Sequence, residues 1–442
     1  MGRYIERSAG EEAPIDLLAY HYGLSHNLAK QREYFRKAGD AAAARYANDA
    51  AIDYYARLLP LLADREKIAV MFALGDIWKL LGRWDQAEQL YRQLLGIATA
   101  LSDSATAARA WSDIGDVQSS NGNHQEALVS SEYAEAFAMR EDSLLLHVKV
   151  LLRKGWILSY CGQIRTALEV SNQTIDLSAT LGDERMLALS LKLRGYMHVL
   201  LGQTSQADAD FNQALQIHRR LDDREDIGRI LNVLGENARM RGDYAEAVEL
   251  YQAALAIGRE LRHPERIIMY LSNLGGAQAG LGQHAKALVA LREAMHLAQT
   301  TTWYGMPETY RFLAEAHLGL GDYQEACRAA RNGLDLARTA RLVLDVGGNL
   351  RVLGQITPHL PDDVLAAERL DARECFAEAL QIHSAIGAAA EQARTLRAWA
   401  HHELRYGDPG QGAERLEQAR ALFQQLGMAA ELDQPEPNTP AE

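Results

Sequence analysis

Apolar residues recur along this chain at three- and four-residue spacing, in helix-length runs separated by short polar breaks. In residues 224–261, Ile227, Ile230, Leu231 and Leu234 make one such stripe, and Ala247, Leu250, Tyr251, Ala254 and Leu255 make a second. That spacing is one face of an α-helix. Between the stripes, Arg241-Gly242-Asp243-Tyr244 reads as a stop and a restart. Gly242 suits the left-handed residue that follows a helix, and Asp243 suits the N-cap of the next. The segment is therefore predicted as two antiparallel helices joined by a tight turn.

The same pattern returns every forty residues. Gly75, Gly115, Gly155, Gly195, Gly235 and Gly275 are each followed seven residues later by a second glycine, and that glycine five residues later by an alanine, Ala87 to Ala287. A fixed period of this size marks a stacked repeat array. The first glycine falls mid-helix, where it costs up to ~1 kcal/mol against alanine. Its recurrence implies a neighbouring helix too close for a larger side chain, with the alanine twelve residues on as the matching small surface. The register extends upstream through Ala38-Gly39, Tyr46, Ala51 and Tyr55, with tyrosine at the second glycine. Downstream it continues through Leu313-Ala314, Gly321 and Ala326, then Leu353-Gly354, then Trp399-Ala400, Gly407 and Ala413. Pro358 and Pro361 interrupt the Leu353 unit, whose second helix resumes near Ala366–Leu380. The expectation is an all-α superhelical solenoid of about ten helix pairs, with one more helix around Pro14–Gly23. It spans 14–428 as one elongated domain, irregular near 342–386, between a flexible segment at 1–13 and a disordered acidic tail at 429–442.

The small-residue code L-G-x6-G-x4-A-x3-Y/F, as in Leu74-Gly75, Gly82, Ala87, Tyr91 and in Leu234-Gly235, Gly242, Ala247, Tyr251, resembles the tetratricopeptide repeat in its forty-residue form. The resemblance covers roughly residues 30 to 427. Lys154 and Arg194 depart from it at the leucine, and Ser131 and Ser171 at the aromatic, so the middle repeats are expected to pack less well. A narrower resemblance covers Leu17–Tyr22, Lys37–Ala42 and Tyr46–Tyr55. It is similar to the junction at which the repeat region begins in large bacterial signalling proteins, after a signal-transduction ATPase and often a nucleotide cyclase. This resemblance implies a C-terminal sensor or scaffold region, or a stand-alone relative of one.

Charge and composition narrow the function. The net charge is -13, against the clustered basic face that nucleic-acid binding needs. No apolar run is long enough to span a membrane, and the first residues, MGRYIERSAGEEAP, lack the apolar core of a signal peptide. Cys161, Cys327 and Cys375 lie in different repeats and read as free thiols in a reducing, cytoplasmic setting. There is no phosphate-cradling G-x4-G-K-[ST] loop, no H-E-x-x-H and no C-x2-C. Neither a cofactor, a metal nor a catalytic constellation is expected, and the chain reads as a non-enzyme.

One constellation remains. Positions six and three before each anchor, and one after it, share a stripe of the first helix, which by the family resemblance lines a concave groove. Of the twenty residues in the two earlier columns, nine are basic: Arg36, Arg109, Lys149, Lys192, Arg229, Arg311, Arg351, Arg394 and Arg397. Only Glu33 and Glu308 are acidic. Lys and Arg make up 46 of 442 residues, so about two would be expected. The candidate partner-binding residues are Lys149, Lys192, Arg229, Arg311 and Arg351, with Asn232 in the same columns and Trp156 and Tyr196 in the later one. The same arginines also read as local ion pairs: Arg36 with Asp40 and Arg311 with Glu315 are four apart on one helix. Asp76, Asp116 and Glu236 stand where they could neutralise an adjacent repeat. The leading expectation is a scaffold or sensor whose groove takes a protein or peptide, acidic if the basic stripe is open. The alternative is a sensor that holds a small metabolite or nucleotide inside the superhelix.

Overall fold

The structure is a computed structural model that describes residues 14–45, 47–299, 305–428 and Glu431. The expected flexible segment at 1–13, the turn tyrosine Tyr46 and all of the expected acidic tail except Glu431 lie outside the described residues. Among the described residues there are twenty-two α-helices and no strand.

The chain divides into two compact units, Met1–Leu193 and Arg194–Glu442. The first contains α1 (Ile15–Gly23), α2 (Leu28–Ala44), α3 (Asn48–Leu58), α4 (Asp64–Leu80), α5 (Trp84–Leu101), α6 (Ser104–Ser120), α7 (His124–Ala138), α8 (Leu144–Tyr160) and α9 (Ile164–Leu181), and it ends within α10 (Glu184–Leu200). The second continues with α11 (Thr204–Arg220), α12 (Arg224–Arg241), α13 (Tyr244–Leu261), α14 (Pro264–Gly280), α15 (His284–Ala298), α16 (Met306–Gly319) and α17 (Tyr323–Thr339). Then come α18 (Val343–Ile356), the short α19 (Asp362–Glu368), α20 (Ala372–Ala385), α21 (Ala389–Tyr406) and α22 (Pro409–Gln425). Within each unit successive helices pair antiparallel, and each pair buries its apolar face against the next. Pairs that contact only their neighbours are the physical basis of a repeat array.

The turns follow the sequence code. Gly82, Gly122, Gly162, Gly202, Gly242, Gly282 and Gly321 all have left-handed backbone, with φ from 66° to 84°, a conformation that only glycine adopts at no steric cost. Asp243 caps α13 by accepting a hydrogen bond from the Glu246 amide at 3.2 Å. The mid-helix glycines also work by close approach; at Gly115 the expected alanine takes part, the Ala127 carbonyl lying 3.2 Å from where a Cβ would stand, while at Gly75, Gly195 and Gly235 the partner is a different residue. A Cβ at Gly75, Gly195 or Gly235 would lie 2.5, 2.5 or 2.8 Å from the ring of Tyr91, Phe211 or Tyr251 respectively, sixteen residues on. The aromatic of the second helix thus packs against the bare backbone of the first.

The middle repeats resolve their departures in two ways. Where Ser131 and Ser171 replace the aromatic, the next pair fills the space: Ile157 reaches Gly115 and Leu193 reaches Gly155. Where Lys154 and Arg194 replace the leucine, each is neutralised from a second helix. Lys154 pairs with Glu135 at 2.5 Å, and Arg194 donates to both carboxylate oxygens of Asp210 at 2.9 and 2.6 Å. These repeats are packed by different residues rather than packed less.

The segment after α18 is irregular. A 3-10 turn at Thr357–His359 and Pro361 precede α19, which buries no residue. α20 then starts at a capped Asp371 and buries Cys375, Phe376, Ala379 and His383.

Candidate functional site

In the first unit, α6, α8 and α10 are first helices of successive pairs, and the columns read from the sequence bring their side chains to one recess. It has a volume of about 610 Å³ and is lined by Arg109, Lys149, Arg153 and Lys192, with no acidic residue among the lining. Leu152, Trp156, Met186 and Leu189 supply apolar wall between the cations. Pockets of ~300–1,000 Å³ with mostly apolar walls and a few placed polar groups are typical of ligand sites. Of the residues singled out in the sequence, Lys149, Trp156 and Lys192 therefore lie together. Tyr196, half-buried and one turn beyond Lys192 on α10, is not in the lining.

The cations differ in how far they are already neutralised. Behind the recess, Asp113 is fully buried and accepts hydrogen bonds from Lys79 at 2.9 Å and from Arg153. Burial alone would push its carboxyl up, but Arg153 and Lys79 outweigh this and hold it below the ordinary value. Arg153 also reaches Asp116 at 3.1 Å. Arg109 lies 3.6 Å from Asp113 and 3.7 Å from Asp76, with its guanidinium 3.7 Å over the Phe72 ring. Lys149, by contrast, is exposed and forms no ion pair among the described residues. The recess is thus an apolar slot with one open ammonium and a rim of partly satisfied guanidiniums, an arrangement suited to a side chain or small molecule with both apolar and anionic parts.

Arg153 escaped the sequence reading because it stands two residues before its anchor, outside the basic columns. Its long side chain is drawn in by Asp113, forty residues earlier on α6. A scan for acids two before one anchor and bases two before the next would have found this pair.

In the second unit the predicted residues stand differently. Arg229 is half-buried and pairs with Asp226 at 3.1 Å and Glu225 at 3.9 Å. Asn232 is buried, donates to Glu236 at 3.2 Å and accepts from Asn273 at 2.9 Å. Arg311 and Arg351 are both buried in a chain of alternating charges. Arg239 meets Glu308 at 3.6 Å, Glu308 meets Arg311 at 2.8 Å, and Glu315 lies between Arg311 at 3.2 Å and Arg351 at 2.9 Å. Arg351 then approaches Glu391 at 3.8 Å, which meets Arg394 at 2.6 Å. Here the basic column follows the pairing alternative: the acids come from the same helix, from the later column and from neighbouring repeats.

One group of metal-capable side chains stands together among the described residues, His218, Asp223 and Asp226. Asp223 caps α12 and Asp226 pairs with Arg229, so both carboxylates have structural work. No helix of the described residues is long and apolar enough to cross a membrane.

Comparison with known proteins agrees with this architecture. Tetratricopeptide-repeat family models match residues 184–260 and 226–300, 70–105 and 307–332. A search of curated proteins returns no match. Among solved structures, a Rap protein complexed with competence and sporulation factor is 16% identical, over 82% of this chain and 99% of that one, with a TM-score of 0.60. The Rap conjugation gene regulator of plasmid pLS20, in complex with the Phr* peptide, is 14% identical over 82% of this chain and 99% of that one, with a TM-score of 0.55. A signal-transduction ATPase with a tetratricopeptide repeat sensor from Pyrococcus horikoshii is 15% identical over 77% of this chain and 52% of that one, at a TM-score of 0.49. At these identities the likeness is one of fold.

Proposed function

Starting from a chain that carries tetratricopeptide repeats, we propose a non-catalytic interaction module that holds a partner's peptide segment, with the recess between α6, α8 and α10 as its anchor point. The observation that carries this reading is the recess itself, where Lys149, Arg109, Arg153 and Lys192 surround apolar wall with no acid in the lining. A segment with an apolar side chain beside a carboxylate fits it: the side chain loses water against Trp156 and Leu152 while the carboxylate meets Lys149. Two solved proteins of similar fold are complexed with competence and sporulation factor and with the Phr* peptide, which favours a peptide over other occupants. Partner binding would in turn regulate an associated signalling ATPase or cyclase, as the resemblance at residues 17–55 implies.

A second reading has its own support, because about 610 Å³ also suits a metabolite or nucleotide. Purifying the protein from its host at low salt and analysing bound peptides and metabolites by mass spectrometry separates the two. A peptide with an acidic residue next to an apolar one is the expected result; a stoichiometric small molecule would replace the first reading with the second. For whichever ligand is found, reversing Lys149 and Lys192 to glutamate should weaken binding at least tenfold and flatten its salt dependence. Unchanged binding in that double variant would sink both readings of the recess.

A further inference from the structure

The interrupted repeat of the second unit holds a smaller recess, between α16, α18 and α21. It has a volume of about 60 Å³ and takes its polar lining from Gln355, His359, His401, His402, Arg405 and Tyr406, with no acidic residue among the lining. A single water needs ~10–15 Å³, so the space suits one compact ion or group. The sequence accounts for the missing acid. The position one past the anchor is acidic at Asp76, Asp116, Glu236 and Glu315, but it is Gln355 and His401 in the last two pairs. Pro358 adds the rest. α18 closes in the 3-10 turn Thr357–His359 rather than on a turn glycine, and His359 stacks on Tyr323 of α17 with ring centres 4.3 Å apart.

Most of these polar groups can donate, and few are engaged. The Gln355 amide oxygen accepts from Arg351 at 3.3 Å, which leaves its NH2 as a donor. The Nδ1 atom of His402 is buried and makes no hydrogen bond among the described residues. Arg405 is exposed and forms no ion pair among them; its guanidinium lies 5.4 Å from the centre of the Tyr406 ring. Burial, and then Arg405, hold the His359 imidazole below its ordinary value. Burial does the same to His402, aided by Arg373 and opposed by Glu403 and Asp371. Glu403 is itself gripped by Arg373 at 2.9 and 2.8 Å. The other titratable groups facing the pair are Tyr323, and Tyr406 at 6.2 Å from His359 and 5.7 Å from His402. Both imidazoles are therefore neutral at pH 7, and an anion beside them would favour their charged form.

We propose that this recess binds a tetrahedral oxyanion of the phosphate class, with Arg405 as the fixed charge, the Gln355 amide as a donor from α18, and His359 and His402 as donors that gain charge with the ion. Donors supplied by two helices and a turn match four acceptor oxygens better than the two coplanar oxygens of a carboxylate. Because binding brings protons with it, affinity rises as the pH falls through the imidazole range. The site is independent of the recess in the first unit, since no residue is shared.

The test uses the full-length chain and sulfate, whose charge is constant between pH 5.5 and 8, at an ionic strength fixed with chloride. The imidazole Cε1–H NMR signals of His359 and His402, assigned with His359→Gln and His402→Gln, report this site alone. Sulfate should shift both signals to saturation, raise both titration midpoints, and bind ~tenfold more tightly at pH 5.5 than at pH 8. Arg405→Gln should weaken binding ~tenfold by removing the fixed charge, while Arg415→Gln, on α22 over the Trp399 ring, should leave it unchanged. Arg405 is exposed, so its variant keeps the fold and carries the test if a histidine variant does not. Unmoved signals at high sulfate, or equal binding by the Arg405→Gln chain, would overturn the proposal. Acetate that displaces sulfate as well as inorganic phosphate does would overturn the tetrahedral ion. Displacement by phosphate alone marks a free ion, and displacement by O-phosphoserine as well marks a phosphoryl group on a larger ligand; either supports the site. Reversal of Lys149 and Lys192 leaves these signals unchanged, which keeps the outcome separate from that of the first recess.

Discussion

Gly96 and Gly195 are both helical glycines, yet their surroundings give them opposite expectations. Gly96 is exposed on α5, and a Cβ there meets nothing within 4 Å. Gly96→Ala should therefore stabilise by ~0.5–1 kcal/mol through helix propensity alone. At Gly195 the added carbon would fall 2.5 Å from the Phe211 ring, and Gly195→Ala should cost ~1–3 kcal/mol through overpacking. Paired chemical denaturation of the two variants checks this, and a common sign would remove the close-approach account. The repeat made the anchor legible from sequence, but not the aromatic that fills it, because a period shows which positions recur and not which of them touch. A second residue-scale expectation concerns Asp345 in the first turn of α18. Burial and then Glu308 raise its carboxyl, partly offset by Arg311, to about 6 against an ordinary 3.8. An acid whose folded value is raised loses stability as pH rises from about 4 to about 6 and stays penalised above that. A shift of about two units corresponds to at most ~3 kcal/mol, less what the helix N-terminus returns to the charged form. Asp345→Asn should raise Tm at pH 7.5 and leave it nearly unchanged at pH 4. A Tm gain of the same size at both pH values would refute the assignment.

Among the helices, α19 stands out as the one in the second unit with no buried residue, and it ends on Arg369 with a left-handed φ of 49°. A non-glycine residue in that conformation carries strain, and a seven-residue helix has little intrinsic stability to resist opening. The sequence announced the break through Pro358 and Pro361, since proline removes a donor and fixes φ. It did not announce the extra turn, because Asp362–Glu368 has too few apolar positions to show a period. Brief trypsin treatment should cut after Arg369 before any site in residues 160–260, as read by mass spectrometry of the first fragments. The recess in the first unit shows the same division. Lys149, Trp156 and Lys192 are legible because they recur on one helical stripe, whereas Arg153 enters through a pairing with Asp113 across two helices. Periodicity reports the face of a helix; it is blind to a long side chain that reaches across to the next one.

For the molecule as a whole, the net charge of -13 conceals two different uses of one basic column. In the first unit part of it borders an open recess; in the second it is locked with acids. The later column is part of the difference: Glu315, one residue past its anchor, bridges Arg311 and Arg351, while Asp116, at the same place in the repeat before Lys149, is taken by Arg153. That choice rests on contacts between helices one period apart, so reading the columns singly could not decide it. The locked chain leads to a prediction about cooperativity. Glu315 is held below its ordinary value despite burial, because Arg311 and Arg351 both favour its charged form. Removing one member of a buried ion pair leaves the others uncompensated, at ~3–5 kcal/mol when burial is complete. The Glu315 side chain retains 23% exposure, so Glu315→Gln is expected to cost ~2–3 kcal/mol. In an array whose stability is summed over nearest neighbours, that loss should stay local before it spreads. Hydrogen exchange should therefore accelerate across α16, α18 and α21 in this variant, while α4 to α8 in the first unit keep their protection. The exposed pair Arg328–Glu325, at 2.7 Å, is the control: Glu325→Gln should change stability by less than ~0.5 kcal/mol. Equal effects from the two glutamate variants would mean that the alternating charges act as surface pairs, and that the arginine column of the second unit is as open to a partner as that of the first.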